Sequence, residues 1–335
     1  MKRTDLHVHS SCSDGTLSPA ELTAYAIHRG LSSFALTDHD CVDGIDEAIR
    51  AAAAYTHADT PGDVPEWHAS AHSAIAPAGD QTECQAEQHA DHAPGSLEVI
   101  PGIEFSTKYL GGDIHIVGLD IAYHDPEFQS RIRWFRDDRL HRNLRMIDLM
   151  ASDGIPISRE QMTDRFGSGI WTRAHFARYL AEHGYVRNKD EAFATCLGEG
   201  GRYYIPREKA DPFEVTELIL RHGGIPVLAH PLQYRLDGAG LRRLLKRLTE
   251  RGLIGIEVYY STHSKADEAY LSSVASDFGL LPSGGSDFHG ANKPEIELGS
   301  GMGNLDIPCS LLDQLRRRRT ERCRNAEKGE PNDIS

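Results

Sequence analysis

A chain of 335 residues, 39% of them hydrophobic and 26% charged, is globular rather than disordered, and long enough for one barrel with a sizeable insertion or for two domains. The formal net charge of −14 excludes a general nucleic-acid-binding surface, and no apolar run approaches the roughly 20 residues of a membrane span. Cys12, Cys41, Cys84, Cys196, Cys309 and Cys323 are scattered without a Cys-x-x-Cys pair, and Met1-Lys2-Arg3-Thr4 leads at once into a strand with no room for a signal peptide, so a reducing cytoplasm is expected.

Short apolar runs alternate with amphipathic stretches, the βα pattern of a parallel sheet or barrel. A strand over Asp5-Leu6-His7-Val8-His9 stops at a polar loop. Ser18 as N-cap, Pro19 in the first turn and Glu21 closing a capping box begin a helix that Gly30 ends. Ser33–Thr37 reads as a strand ending at Asp38-His39-Asp40, Asp43–Ala54 as a helix, and Leu97–Ile100 as a strand ending at Pro101-Gly102-Ile103-Glu104. Further strands are Asp113–Leu119, Ile225–Ala229 running into His230-Pro231, Ile254–Tyr259, and a short run at Leu280–Pro282 before Gly284-Gly285-Ser286-Asp287.

Two segments break the rhythm. Tyr55–Ser96 is rich in Ala, His, Asp, Pro and Gly and carries His57, His68, His72, His89 and His92. It reads as a polar surface insertion rather than a further metal site, because no periodicity aims those histidines at one point. Residues 126–211 look helical throughout, most clearly at Arg131–Met150, Thr172–Glu182 and Asn188–Cys196, and form a helical subdomain inserted between barrel segments 1–125 and 212–310, with Trp134-Phe135 in its core. The basic tail, 311–335, carries Arg316 to Arg319. It reads as a solvated helix end whose cations complement the helix dipole, in preference to an RNA contact.

Nine potential ligands gather where strands end: His7, His9, Asp14, His39, Glu104, His115, His230, Asp287 and His289. In an extended chain residues i and i+2 share a face, so His-x-His and Asp-x-His can each offer two donors to one ion. Imidazole with carboxylate suits zinc, iron or manganese. Six imidazoles and three carboxylates exceed one tetrahedral ion, which points to two or three ions sharing ligands. Such ions would make a positive pocket in an acidic body, suited to phosphate esters, and a metal lowers the pKa of bound water to supply hydroxide near neutral pH. Asp14 could instead organise the Asp-Gly turn at Gly15, and Cys12 and Cys41 read as small buried residues rather than soft ligands.

The ordered set His-x-His, Ser-Asp-Gly, Thr-Asp-His-Asp, Pro-Gly-Ile-Glu, Ala-His-Pro and Ser-Asp-Phe-His resembles the PHP (polymerase and histidinol phosphatase) superfamily. Within it the chain is most similar to bacterial phosphoesterases of nucleoside 3′,5′-bisphosphates, some of which also remove nucleotides from the 5′ ends of short RNA. The resemblance implies an α/β fold, a distorted (β/α)7 barrel with the helical insertion, and three divalent ions (Mn, Fe or Zn). His7, His9, Glu104 and Asp287 would hold the first, Glu104, His115 and His230 the second, and Asp14, His39 and His289 the third. Asp14 stands where some relatives have His, which favours a harder ion such as manganese. Asp38, Asp40 and a metal-bound water are candidates for the acid. The insertion offers Trp171-Thr172-Arg173-Ala174-His175 and Gly201-Arg202-Tyr203-Tyr204, and by the same resemblance Arg173, His175 and Arg202 are expected on the substrate's phosphates. The expected reaction removes the 3′-phosphate of a nucleoside 3′,5′-bisphosphate, with no membrane or obligate protein partner. Short RNA and histidinol phosphate are alternative substrates, and an amidohydrolase-type C–N hydrolase or a metal-stabilised binding module are readings of other classes.

Overall fold

The computed structural model describes residues 2–56, 97–167, 169–206, 210–234 and 236–328. The polar stretch 55–96, with its five histidines, therefore falls almost wholly outside the described residues, as does the tail beyond 328. Seven strands form one mixed sheet in chain order: β1 (Thr4–Val8), β2 (Ser33–Leu36), β3 (Glu98–Tyr109), β4 (Gly112–Leu119), β5 (Ile225–Leu228), β6 (Gly255–Tyr260) and β7 (Leu281–Gly285). Only β4 runs against the others. The sheet nearly closes into a barrel, as expected. Val8 bridges Phe288 in parallel, the Asp287 N–H donates to His7 O at 2.8 Å and the His9 N–H to Phe288 O at 3.0 Å. Gly285 permits this seam, since a Cβ there would lie 2.5 Å from the His7 nitrogen.

Around the barrel lie α1 (Pro19–His28), α2 (Ile45–Thr56), α7 (Pro212–Arg221), α8 (Gly238–Glu250), α9 (Lys265–Asp277) and α10 (Ser310–Lys328). The capping box of Ser18 and Glu21 forms as the sequence predicts. Between β4 and α7 come α3 (Pro126–Ser152), α4 (Arg159–Phe166), α5 (Arg173–Glu182) and α6 (Lys189–Ala192), the last continuing into a π-helical turn over Phe193–Leu197. These helices bury their own apolar cluster, including Met146, Met150, Met162, Phe176 and Leu197.

Three differences from the sequence reading have physical causes. Glu104 is not at a strand end: β3 runs on to Tyr109 and turns back through Leu110-Gly111, both at positive φ, into β4. Pro101-Gly102 reads as a turn, but here Pro101 pairs with Leu36, and Gly102 allows a close pass, a Cβ there standing 2.8 Å from Thr37 Cγ2. Helix α3 begins five residues early, because Asp125 accepts from the Glu127 and Phe128 N–H groups ahead of Pro126. Finally, neither Trp134 nor Phe135 is in the insertion's core: Phe135 joins the barrel's, packing on Phe105 at 5.4 Å between ring centroids, and Trp134 is 42% exposed.

The arginines of α10 are more than a solvated helix end. Arg316 forks onto Asp120 at 2.7 and 2.8 Å and reaches Glu98 at 2.7 Å. Arg318 donates to Gly279 O, Arg319 to Gly223 O and Arg322 to Gly252 O. Those glycines lie one residue past the C-caps of α9, α7 and α8, so the guanidiniums satisfy carbonyls of the turns that leave these helices and fasten α10 across the barrel end remote from the histidines.

Candidate metal centre

Each expected ligand is carried to one end of the barrel. His7 ends β1's inward row and His9 follows it by two residues. Asp14 and His39 lie in the loops after β1 and β2, Glu104 and His115 are diagonal neighbours on β3 and β4, where Glu104 pairs with Val117 and His115 with Ser106, and His230, Asp287 and His289 follow β5 and β7. This is the carboxyl end of the parallel strands, where barrels of this type place their chemistry. Three of the five non-glycine residues at positive φ among the described residues are here, Asp40, His230 and Asp287. Such strain persists where neighbouring bonds over-determine it.

Seven of the nine form three overlapping groups of close donors, His7–His9–Glu104, His39–Glu104–His115 and His9–Asp14–His39–His289, with Asp287 beside the first and His230 beside the second. Around the first, His7 Nε2 and His9 Nε2 are 3.1 Å apart. Glu104 Oε2 stands 3.4 and 3.3 Å from them, and Asp287 Oδ1 3.6 and 3.3 Å. Four donors each about 2.1 Å from one ion stand roughly 3.4 Å apart at tetrahedral corners, so this set fits a metal. Glu104 turns its other oxygen, Oε1, to His115 Nδ1 at 2.8 Å and His230 Nε2 at 3.0 Å. Asp14 faces His289 Nε2 at 3.2 Å and His39 Nε2 at 3.8 Å. Asp14 Oδ1, His39 Nδ1 and Glu104 Oε2 are buried without a hydrogen-bond partner, although His39 Nδ1 lies 2.8 Å from Glu104 Oε2. Buried polar atoms without a well-formed hydrogen bond are costly in an interior, and a cation would satisfy them.

The electrostatics agree. Burial works against a charged His7 and His9, yet Glu257, Glu104 and Asp287 outweigh it in His7, and Asp287 and Glu104 in His9, raising His9 to about 9. Burial likewise opposes charge on Asp14, Glu104 and Asp287. Facing basic groups outweigh it and hold all three well below the ordinary carboxylate range: the His39 and His289 rings at Asp14, the His115 and His39 rings at Glu104, and Lys293 with the His289 ring at Asp287, while burial itself pushes His115 and His289 down to about 4. The pocket thus draws in positive charge, which divalent ions supply.

Several residues that orient these donors escaped the sequence reading. Glu257 accepts from His7 Nδ1 at 2.7 Å and from the His230 N–H at 2.6 Å. Tyr260 donates to Asp287 Oδ2 at 2.7 Å and Lys293 at 2.5 Å. Glu257 carried a signal, as a lone carboxylate in the apolar run Ile254–Tyr260: a buried charge must be partnered. Lys293, in a loop, carried none. Asp38 accepts from the Ser10 N–H at 2.8 Å, Ser10 Oγ at 2.6 Å and Ser13 Oγ at 2.5 Å. Asp40 accepts from the Ser106 N–H at 3.0 Å and from Arg139. Both are buried and fully engaged in holding loops, so as acid candidates they have no open face. Cys12 and Cys41 stand outside the three groups.

The expected ligands Asp14, His39 and His115 open into a cavity whose other walls carry Lys108, Arg139, Arg142 and Arg173, with Asp113, Phe193 and Tyr204. Arg173 is held there by Asp113 at 2.9 Å and Leu197 O at 3.3 Å. The other two expected phosphate contacts are not brought to it. Arg202 forks onto Asp153 and is 65% exposed. His175 is spent on the start of α5: its Nδ1 accepts from the Thr172 N–H at 3.0 Å, and Thr172 Oγ1 in turn donates to Asp14 Oδ2 at 3.0 Å. The Arg139 and Arg142 pair, three residues apart on α3, was legible only as a charged helix face.

The PHP domain family matches residues 5–134. The chain is 33% identical over 311 residues to a 5′-3′ exoribonuclease of Haemophilus influenzae, covering 93% of this chain and 97% of that protein. It is 28% identical to a 3′,5′-nucleoside bisphosphate phosphatase of Chromobacterium violaceum, covering 89% and 91%. Among solved structures it superposes on an amidohydrolase of Chromobacterium violaceum with bound sulfate and no metal, at TM-score 0.73 and 28% identity over 94% of this chain and 96% of that one. With its motif order, near-closed seven-stranded barrel and clustered donors, the chain belongs to the PHP family of metal-dependent phosphoesterases, hydrolases of phosphate esters.

Proposed function

We propose that this enzyme removes the 3′-phosphate from nucleoside 3′,5′-bisphosphates, using three divalent ions held as His7–His9–Glu104–Asp287, Glu104–His115–His230 and Asp14–His39–His289. The observation that carries the reading is that the donor cluster and a cationic wall share one cavity. Bound there, divalent ions would acidify water and offset charge on the phosphoryl oxygens. The chain's own part is to position. Glu104 divides its two oxygens between neighbouring groups and so fixes their spacing. Lys108, Arg139, Arg142 and Arg173 face a second anionic group, and Arg offers it a planar fork. A substrate with two phosphates uses both halves of the cavity. A C–N substrate or histidinol phosphate brings no second anionic group to that wall.

A second reading, stepwise removal of nucleotides from the 5′ end of short RNA, is favoured by the relative described as a 5′-3′ exoribonuclease and needs the same two halves. The test is phosphate release with manganese supplied, comparing adenosine 3′,5′-bisphosphate, 5′-AMP, histidinol phosphate and a short 5′-phosphorylated RNA, with nucleotide release followed in parallel for the RNA. Strong preference for the bisphosphate, with 5′-AMP as product, supports the first reading. Preference for RNA with mononucleotide products replaces it with the second, and preference for histidinol phosphate contradicts both.

A further inference from the structure

We propose that Phe193 is the stacking platform for the substrate's nucleobase, an assignment that rests on the nucleotide reading above. Among the described residues, eight large apolar side chains are exposed, and Phe193, at 37%, is the one that also lines the metal cavity. Its exposure is not a packing accident at the subdomain surface. Ala192 and Leu197, its neighbours on the same turn, belong to the insertion's apolar cluster, and Phe193 stands outside it. The backbone is shaped to put it there. Phe193–Leu197 is a π-helical turn, a local widening found mostly at functional sites, and the Gly198 N–H closes it on Phe193 O at 3.0 Å. Only glycine fits at 198, because a Cβ would lie 2.2 Å from that oxygen.

The neighbourhood completes a nucleotide site. The Arg173 guanidinium carbon lies 5.9 Å from the Phe193 ring centroid and 5.4 Å from that of Tyr204, so the cation that faces a phosphate is flanked by rings. An aromatic face beside a cation at the mouth of a cavity suits a base joined to a phosphate through a sugar. Stacking on such a face tolerates every base, since each has a π-face. Phe193 therefore separates nucleotides from other bisphosphate esters without selecting among bases.

The test compares kcat and KM for adenosine 3′,5′-bisphosphate and its base-free analogue, 1,2-dideoxyribose 3,5-bisphosphate, in the manganese-loaded wild type, Phe193→Ala and Phe193→Trp, with thermal melts confirming the fold. The wild type is expected to prefer the nucleotide by roughly 5- to 160-fold in kcat/KM, the range that loss of one base–aromatic stack spans. Phe193→Ala is expected to lose that preference through a raised KM on the nucleotide alone, and Phe193→Trp to keep it. Equal use of both esters by the wild type, or equal loss on both in Phe193→Ala, overturns the platform and leaves the phosphoesterase reading standing. Hydrolysis of neither ester by the wild type overturns the nucleotide reading, and the platform with it.

Discussion

Glu257 and His7 are tied by a 2.7 Å hydrogen bond from His7 Nδ1 to a fully buried carboxylate. With Nδ1 engaged by Glu257, His7 Nε2 is the nitrogen turned toward His9, Glu104 and Asp287. The other Glu257 oxygen takes the His230 N–H, so one side chain orients donors of two groups. A glutamine has one acceptor for these two donors. Glu257→Gln is therefore expected to weaken metal binding by roughly 10- to 100-fold, measured by competition with a chromogenic chelator. Unchanged affinity in a folded variant would remove Glu257 from the centre.

The cationic wall separates Arg173 from Arg202. Loss of a charge-assisted bond to phosphate costs about 1.5–3 kcal/mol, so Arg173→Ala should lower kcat/KM for adenosine 3′,5′-bisphosphate by roughly 10- to 100-fold. Arg202→Ala breaks only an exposed pair with Asp153, and steady-state kinetics should show little change. The reverse order of effects would mean that Arg202 reaches the substrate in a conformation different from this one.

Much of the centre was legible in the sequence because ligand chemistry demands particular residues at strand ends and at i, i+2 spacing. His7-x-His9 and Asp287-x-His289 announce themselves without knowledge of the third dimension. What stayed hidden depends on partners far apart in the chain. Glu257 meets His7 across 250 positions. Lys293 reaches Asp287 from a loop with no periodicity. His175 looked like a phosphate contact in Arg-x-His, but at the third position of α5 it is drawn into the capping box with Thr172. The fold was read correctly where hydrophobic alternation ran unbroken, and misread at Pro101-Gly102, where a common turn pair serves a continuous strand.

That capping role gives a pH prediction. Burial holds His175 neutral, lowering it from 6.5 to about 4, with Arg178 and Arg139 adding to the effect against Asp14. The unfolded chain therefore binds the extra proton first as pH falls. Stability from this residue is full above about 6.5 and is lost on descending toward 4, by at most about 3 kcal/mol. His175→Gln keeps a capping side chain at that position and removes the titration. Urea melts of the metal-free protein between pH 4 and 7 should show a shallower fall in the variant. Parallel curves would mean that His175 does not titrate differently on folding.

The α10 arginines should matter for stability and not for turnover. Arg319→Ala and Arg322→Ala each uncover a carbonyl of the turn that leaves a helix and are expected to cost about 1 kcal/mol each, seen as a lower Tm with unchanged kcat. A selective loss of RNA affinity at unchanged Tm would restore the tail as a nucleic-acid contact.

The most direct measurement of the central claim is phosphate release from adenosine 3′,5′-bisphosphate by chelator-stripped protein before and after manganese is returned, for the wild type and Glu104→Gln, with bound metal determined on the same samples. Glu104 shares its two oxygens between groups, so the account predicts an inactive stripped enzyme, recovery with more than one ion bound per chain in the wild type, and neither full loading nor recovery in Glu104→Gln. Full activity in stripped protein, or wild-type turnover by Glu104→Gln, would contradict it.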